Sequence, residues 1–195
     1  MFKKFAPKEE ISSQAKTKSS VQRAIRAKLL EQYPALNPYA DVILPKKAPM
    51  VLIKCKDNIS MIMMNDTYLF FQTFDGPYYP TLQLLHKYPD IMPKVQVDKG
   101  AIKFVMAGAN IMCPGLTSPG ASLDAGIPKG TPVAVMAEGK EHAVAIGLMM
   151  MSSDEIMKLR KGVGIEPVTY LGDGLYKVCA EAALSALAHA ESDSE

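Results

Sequence analysis

No apolar run in this 195-residue chain approaches the roughly 20 residues needed to cross a bilayer as a helix, so no membrane span is expected. Cysteine is scarce. Cys55, Cys113 and Cys179 are odd in number, far apart, and form neither a CxxC pair nor a Cys-His cluster at ligand spacing. That arithmetic argues against a disulfide framework and a structural zinc site, and favours a reduced, cytosolic compartment. Histidine is equally scarce, with His86, His142 and His189 scattered along the chain. No HExxH, GxSxG or P-loop pattern occurs. Gly162-Val163-Gly164 lacks the third glycine and the following helix of a dinucleotide fingerprint, and reads as a turn. No enzyme activity, metal or cofactor is therefore expected. The opening MFKKFAPKEE is charged and has no apolar stretch of a signal peptide, so secretion is not expected either. There is no internal repeat of 20–50 residues.

What is present is an ordinary globular composition, 48% apolar and 22% charged. The length fits one large domain or two small ones. The net charge of +2 hides an asymmetry. Residues 1–56 hold twelve Lys/Arg against four Asp/Glu, a balance of +8, and the rest holds ten against sixteen, a balance of −6. A positive field on one module suits a polyanionic partner, because neutralising phosphates releases counterions. A solvated basic face without a partner explains the same numbers, and both readings stay open.

Residues 1–18 are polar, basic and without periodicity. Ser20 can then cap a helix whose Val21, Ile25, Leu29 and Leu30 share a face, opposite Arg23, Arg26 and Lys28. Pro34 ends it, and a proline-punctuated stretch carries Lys46-Lys47. Strands are expected at Met50–Cys55, Ile59–Met64 and Thr67–Phe71, with a helix over Tyr79–Tyr88. Prolines 89 and 93 bracket a boundary, giving a basic N-terminal module over 1–92, a second domain over 93–178, and a helix-prone acidic tail over 179–195. The second domain reads as glycine-punctuated and mostly β. Val95–Val97 is its first strand, and a helix from Asp98 closes at Gly108. Asn110–Cys113 forms a short strand. Val133–Ala137 and Ala143–Met149 form buried strands, and Ser152-Ser153 opens a second helix. Val168–Tyr170 and Leu175–Val178 are read as a final hairpin around Gly172-Asp173-Gly174.

Several clusters have two readings. The thirteen methionines, dense at Met61–Met64 and Met149–Met151, fill irregular cores first and serve partner surfaces second. The aromatic run Tyr68, Phe70, Phe71, Phe74, Tyr78, Tyr79 packs a core, or exposes rings for bases or a partner. Asp154 and Glu155, at a helix start, are accounted for by the helix dipole without catalysis.

The run Val97-Asp98-Lys99-Gly100-Ala101-Ile102-Lys103-Phe104-Val105-Met106-Ala107-Gly108-Ala109-Asn110-Ile111-Met112-Cys113-Pro114-Gly115-Leu116 resembles the signature of a PUA domain. A glycine-alanine pair opens a helix, and a second Gly-Ala, an apolar strand and Pro-Gly follow. Ala134–Lys140 and Ala145-Ile146-Gly147 resemble that domain's paired strands. Met1–Phe5, the basic helix, Leu44-Pro45-Lys46-Lys47, and Gly76–Leu82 through Tyr88-Pro89 are similar to the malignant T-cell-amplified sequence 1 family, over about residues 1–178. The resemblance implies an α+β chain, with an N-terminal mixed α/β module followed by a PUA pseudo-β-barrel.

It also implies a non-enzymatic cytoplasmic translation factor. Such a factor pairs with density-regulated protein, is related to ligatin, and handles tRNA on the 40S ribosomal subunit in non-canonical initiation, reinitiation and post-termination recycling. The PUA domain would hold the tRNA acceptor end. Candidate RNA-binding residues are Lys99, Gly100, Ala101, Lys103, Gly108, Ala109, Pro114 and Gly115. Glycine lets an RNA backbone approach closely. Amides opening a Lys99–Ala107 helix would face phosphate, and Lys99 and Lys103 would add charge. Arg23, Arg26, Lys28, Lys46 and Lys47 are candidates for electrostatic contact with the ribosome or RNA. Thr81 and Ser118 are candidate phosphorylation positions, each also an ordinary turn residue. An RNA-modification accessory protein and a PUA-based protein-interaction adaptor are the alternatives.

Overall fold

The computed structural model describes residues 1–192, with side-chain exposure through Ala188. The acidic end expected beyond Ser192 lies outside the described residues. Contacts divide the chain into two compact units. One is Phe5–Leu84 with the helical residues from Lys177, and the other is Met1–Lys4 with Leu85–Tyr176.

The first unit is built on helices α1 (Pro7–Glu10), α2 (Ser19–Gln32) and α3 (Ala40–Ile43). Its strands are β1 (Ile11–Lys16), β2 (Met50–Cys55), β3 (Ile59–Met64), β4 (Thr67–Thr73) and β5 (Tyr78–Pro80). The strands form one antiparallel sheet in chain order. Asn and Asp supply the left-handed backbone that the connections need. Asp57, Asn58 and Asp66 have φ of 55° and Asn65 of 48°, conformations that their short polar side chains tolerate. Leu29, Leu36, Ile53, Met61, Phe70 and Phe71 are fully buried, so most of the methionine-aromatic cluster is core. Gln32 donates to the Tyr78 carbonyl at 2.7 Å and accepts the Tyr78 N–H at 2.9 Å, tying α2 to the sheet.

Expectations for this unit change at β1 and along α2. β1 was not anticipated. Five of its six residues are exposed, and an edge strand that buries almost nothing has no reason to alternate polar and apolar residues. Along α2 the buried positions are Gln22, Ile25 and Leu29, while Val21 is exposed. Gln22 is accommodated because its amide donates to the Ala48 carbonyl at 2.9 Å.

Helix α4 (Leu82–Lys87) precedes the second sheet, and β5 with α4 replaces the single helix expected over Tyr79–Tyr88. The elements that follow are β6 (Lys94–Val97), α5 (Ile102–Val105), β7 (Ile111–Met112), α6 (Pro114–Thr117), β8 (Ser122–Leu123), β9 (Pro132–Ala137), β10 (Ala145–Met149), α7 (Ser153–Leu159) and β11 (Val163–Tyr170). They form a six-stranded sheet in the order β7-β11-β10-β9-β6-β8, antiparallel except for the β6–β9 pair. Its core gathers Val95, Val97, Val105, Ile111, Leu116, Val133, Val135 and Ile165. Gly147 sits where β10 meets a register shift in β11. A Cβ there would lie 2.3 Å from Ile165 Cγ2 and 3.1 Å from the Glu166 carbonyl oxygen, so no larger residue fits without moving backbone.

The expected final hairpin is corrected. β11 ends at Tyr170, and Gly174–Ser192 is one helix, α8. Asp173 starts it: its carboxylate accepts the Tyr176 N–H at 2.7 Å, the Tyr170 N–H at 3.1 Å and the Thr169 hydroxyl at 2.7 Å. A Gly-Asp-Gly sequence suits a turn and a helix cap equally, and the spacing of Leu175 and Cys179, both buried on α8, decides for the helix.

Candidate nucleic-acid interface

The PUA-like run folds into a trough of about 420 Å³ lined by Asp98, Gly100, Ala101, Phe104, Val105, Ala109, Asn110, Ile111, Met112, Pro114 and Gly115. Its lining surface is mainly apolar. Phe104 and Met112 remain 54% and 47% exposed at the trough, although both are large and apolar. An exposed ring beside a concave apolar surface can receive another π-face by stacking. The floor is firm: Val105, Ile111 and Cys113 are buried. The Cys113 thiol donates to Met151 Sδ at 3.7 Å, and burial raises its pKa.

Of the candidate RNA-binding residues, Gly100, Ala101, Ala109, Pro114 and Gly115 line the trough. Lys99, Lys103 and Gly108 are exposed but do not line it. Lys103 Nζ instead lies 4.9 Å from the centre of the Phe104 ring, placing a cation over the exposed aromatic. Gly108 has φ +78°, and a Cβ would meet the Tyr170 ring at 2.7 Å. Packing and backbone conformation thus account for that glycine. Gly115 lies against Ala101, whose Cβ a new methyl would meet at 3.1 Å.

The helix-terminus cradle for phosphate is corrected. α5 has only four residues, too few for a useful dipole. The Lys99 N–H is already donated to a Glu138 carboxylate oxygen at 2.9 Å, and the Ala101 N–H to Asp98 Oδ1 at 2.9 Å. Two of the amides expected to meet phosphate are therefore occupied by the protein's own carboxylates. Sequence reasoning missed Phe104 and Met112 as surface residues, because apolar spacing assigns both to a core. Phe104 was legible only as the apolar residue following Lys103.

Among the basic candidates, Arg23, Lys28, Lys46 and Lys47 are exposed. Arg26 is not a free charge. Its Nη2 pairs with Asp41 Oδ1 at 2.8 Å, its Nε donates to the Leu44 carbonyl at 3.1 Å, and its side chain is 17% exposed. Thr81 is withdrawn as an accessible modification position. It is fully buried, its hydroxyl donates to the Tyr68 carbonyl at 3.0 Å and accepts the Leu84 N–H at 3.3 Å. Ser118 is half-buried, with its hydroxyl donating to the Pro114 carbonyl at 2.6 Å. Among the described residues, no group of three or more His, Cys, Asp and Glu is placed to hold a metal ion, and no helix is long and apolar enough to cross a membrane.

The fold and the trough define the class: an N-terminal Pre-PUA module followed by a PUA domain. Residues 5–89 match the Pre-PUA-like domain family, and residues 93–171 match the PUA domain family. A hypothetical protein from the archaeon Pyrococcus horikoshii superposes with a TM-score of 0.70 at 22% identity, covering 86% of this chain and 99% of that one. A PUA domain protein from Aeropyrum pernix, solved as a tartrate complex, gives 0.65 at 23% identity, covering 87% and 92%. Malignant T-cell-amplified sequence 1-A of Xenopus laevis is 52% identical over 176 residues, 90% of this chain and 97% of that protein. The Drosophila melanogaster homolog is 54% identical over 178 residues, 91% and 97%. The chain belongs to the malignant T-cell-amplified sequence 1 family.

Proposed function

We propose that this protein is a non-enzymatic RNA-binding translation factor of the cytoplasm. It acts with density-regulated protein at the 40S subunit in non-canonical initiation, reinitiation and recycling, and it holds the acceptor end of tRNA in the PUA trough. The observation that carries the reading is the solvent-facing Phe104 beside a mostly apolar trough built from the PUA motif. A single-stranded end offers unstacked bases, which such a surface takes by stacking and shape. Lys99 and Lys103 lie on the same segment and are exposed to solvent, which leaves their charges available to a sugar-phosphate chain. Family membership supports placing this RNA binding in translation. The positive field of the base-rich stretch 5–56 then steers the factor to ribosomal RNA through Arg23, Lys28, Lys46 and Lys47.

The test is sedimentation with 40S subunits, with and without density-regulated protein, over a range of salt. Salt-sensitive co-migration strengthened by the partner supports the reading. Absence of co-migration in every condition overturns the ribosomal role and favours an RNA-modification accessory role, or an adaptor if RNA binding fails as well.

A further inference from the structure

The second unit is close to balanced, with eleven Lys/Arg against nine Asp/Glu, so the few cations placed near its trough have a large share in any contact with phosphate. One group of them has no part in the reading above. The last turn of helix α7 carries Lys158 and Leu159, the chain continues into Arg160 and Lys161, and all four residues are exposed. The chain leaving this turn runs directly against the trough wall. The Cys113 N–H donates to the Gly162 carbonyl at 2.9 Å, and Val163 is the register partner of Met112. The basic turn therefore abuts the Met112–Pro114 side of the trough, whereas Lys99 and Lys103 lie on the segment that leads into and through α5.

The backbone of the turn supplies a second, independent observation. Arg160 occupies the left-handed C-cap of α7, with φ of 53° and ψ of 24°. That position is ordinarily glycine, because a Cβ crowds the following carbonyl oxygen there. Arg160 uses its Nε to donate to the Met157 carbonyl at 3.2 Å, and it has no ion pair among those formed by the described residues. A strained, solvent-facing arginine where glycine would be easier points to a job for the side chain. Its planar guanidinium suits phosphate oxygens better than an ammonium does.

We propose that Arg160 and Lys161 form a phosphate-binding wall of the trough, holding the sugar-phosphate of a single-stranded RNA whose base rests against Phe104 and Met112. Lys158, in the last turn of α7, adds to the local field. The proposal rests on the RNA reading of the trough and assigns it a second wall.

The experiment is fluorescence anisotropy of a labelled single-stranded RNA with a free 3′ end, titrated with the full chain between about 50 and 200 mM salt. Arg160→Gly suits the backbone, so its melting temperature should stay level or rise. The double variant Arg160→Gly/Lys161→Gln should bind roughly tenfold more weakly near 100 mM salt, with a salt slope flatter by about 1.4 for two lost contacts. Phe104→Ala should weaken binding with the salt slope unchanged. An unchanged affinity and slope in the double variant, while Phe104→Ala loses binding, overturns the wall and leaves the trough as an RNA site. No binding by the wild-type chain at any of these salt concentrations overturns both.

Discussion

The two units differ in how their surfaces could recognise a partner. The first concentrates charge, yet one of its most inviting cations, Arg26, is spent on Asp41 and a backbone carbonyl. The second is close to balanced, with eleven Lys/Arg against nine Asp/Glu, yet it exposes an aromatic ring at the trough and cations on adjacent segments. The base-rich stretch of residues 5–56, ten Lys/Arg against four Asp/Glu, draws attention to the first unit as the RNA binder, whereas the geometry gives the second unit the more specific surface. Net charge describes a long-range field, and specificity comes from where a few groups are held.

The sharpest way to separate packing from recognition is to cut into each unit in turn. Phe70→Ala in the first sheet should cost about 3–5 kcal/mol in urea unfolding, since the ring is fully buried. A loss below about 1 kcal/mol would mean that the site collapses freely. Gly108→Ala should cost about 2–3 kcal/mol by the same measurement, combining a positive φ with a clash against Tyr170. Because Gly108 does not line the trough, the folded fraction should keep its RNA affinity.

Phe104→Ala and Arg26→Ala form a matched pair. The first should leave stability within about 0.5 kcal/mol and lower RNA affinity by about 1–3 kcal/mol. The second should do the opposite, losing about 1–2 kcal/mol of stability with little change in 40S sedimentation. Reversing Arg23 and Lys28 should instead lower that sedimentation while leaving unfolding unchanged. If Arg26→Ala impairs 40S association as much as the Arg23/Lys28 reversal does, the division between structural and recognising cations fails.

The smallest effect is a pH dependence at α7. Glu155 accepts the Ser152 N–H at 2.9 Å and the Ser152 hydroxyl at 3.1 Å, while the Ser152 hydroxyl oxygen accepts the Glu155 N–H at 3.2 Å. These bonds hold the Glu155 carboxyl below the ordinary glutamate pKa. A depressed folded pKa means that the contribution is complete above the unfolded pKa and fades as pH falls through the folded one. The melting-temperature gap between wild type and Glu155→Gln should therefore close on acidification, and a gap independent of pH would detach this carboxylate from the cap.

Much of the architecture was legible because the residues stated it locally. The strands of the first sheet carried β-rich apolar runs with Asn/Asp turns, the α7 start carried Ser-Ser-Asp-Glu, and the PUA motif marked the second domain. What was not legible has physical reasons. β1 is an edge strand with no buried face to write a pattern. Val21 and Gln22 exchanged places because a distant carbonyl at Ala48 makes burying an amide affordable. The trough's shape was only half legible. The glycines and alanines were visible as a motif, but Phe104 and Met112 were hidden by the assumption that apolar means buried. The amides at Lys99 and Ala101 failed as phosphate donors because Glu138, 39 residues from Lys99, and Asp98 claim them. Local spacing cannot report the first of these contacts.

The buried thiol of Cys113, between the trough residues Met112 and Pro114, has a practical consequence. Cys113 is sealed against Met151 below the wall that carries Met112 and Pro114, so a maleimide or iodoacetamide reaches it only when that floor opens. Its alkylation rate is therefore a clock for local opening. Read peptide by peptide against the two other buried free thiols, Cys55 and Cys179, occupancy of the trough can be followed as labelling slowed at Cys113 alone, without attaching a dye to the surface under study.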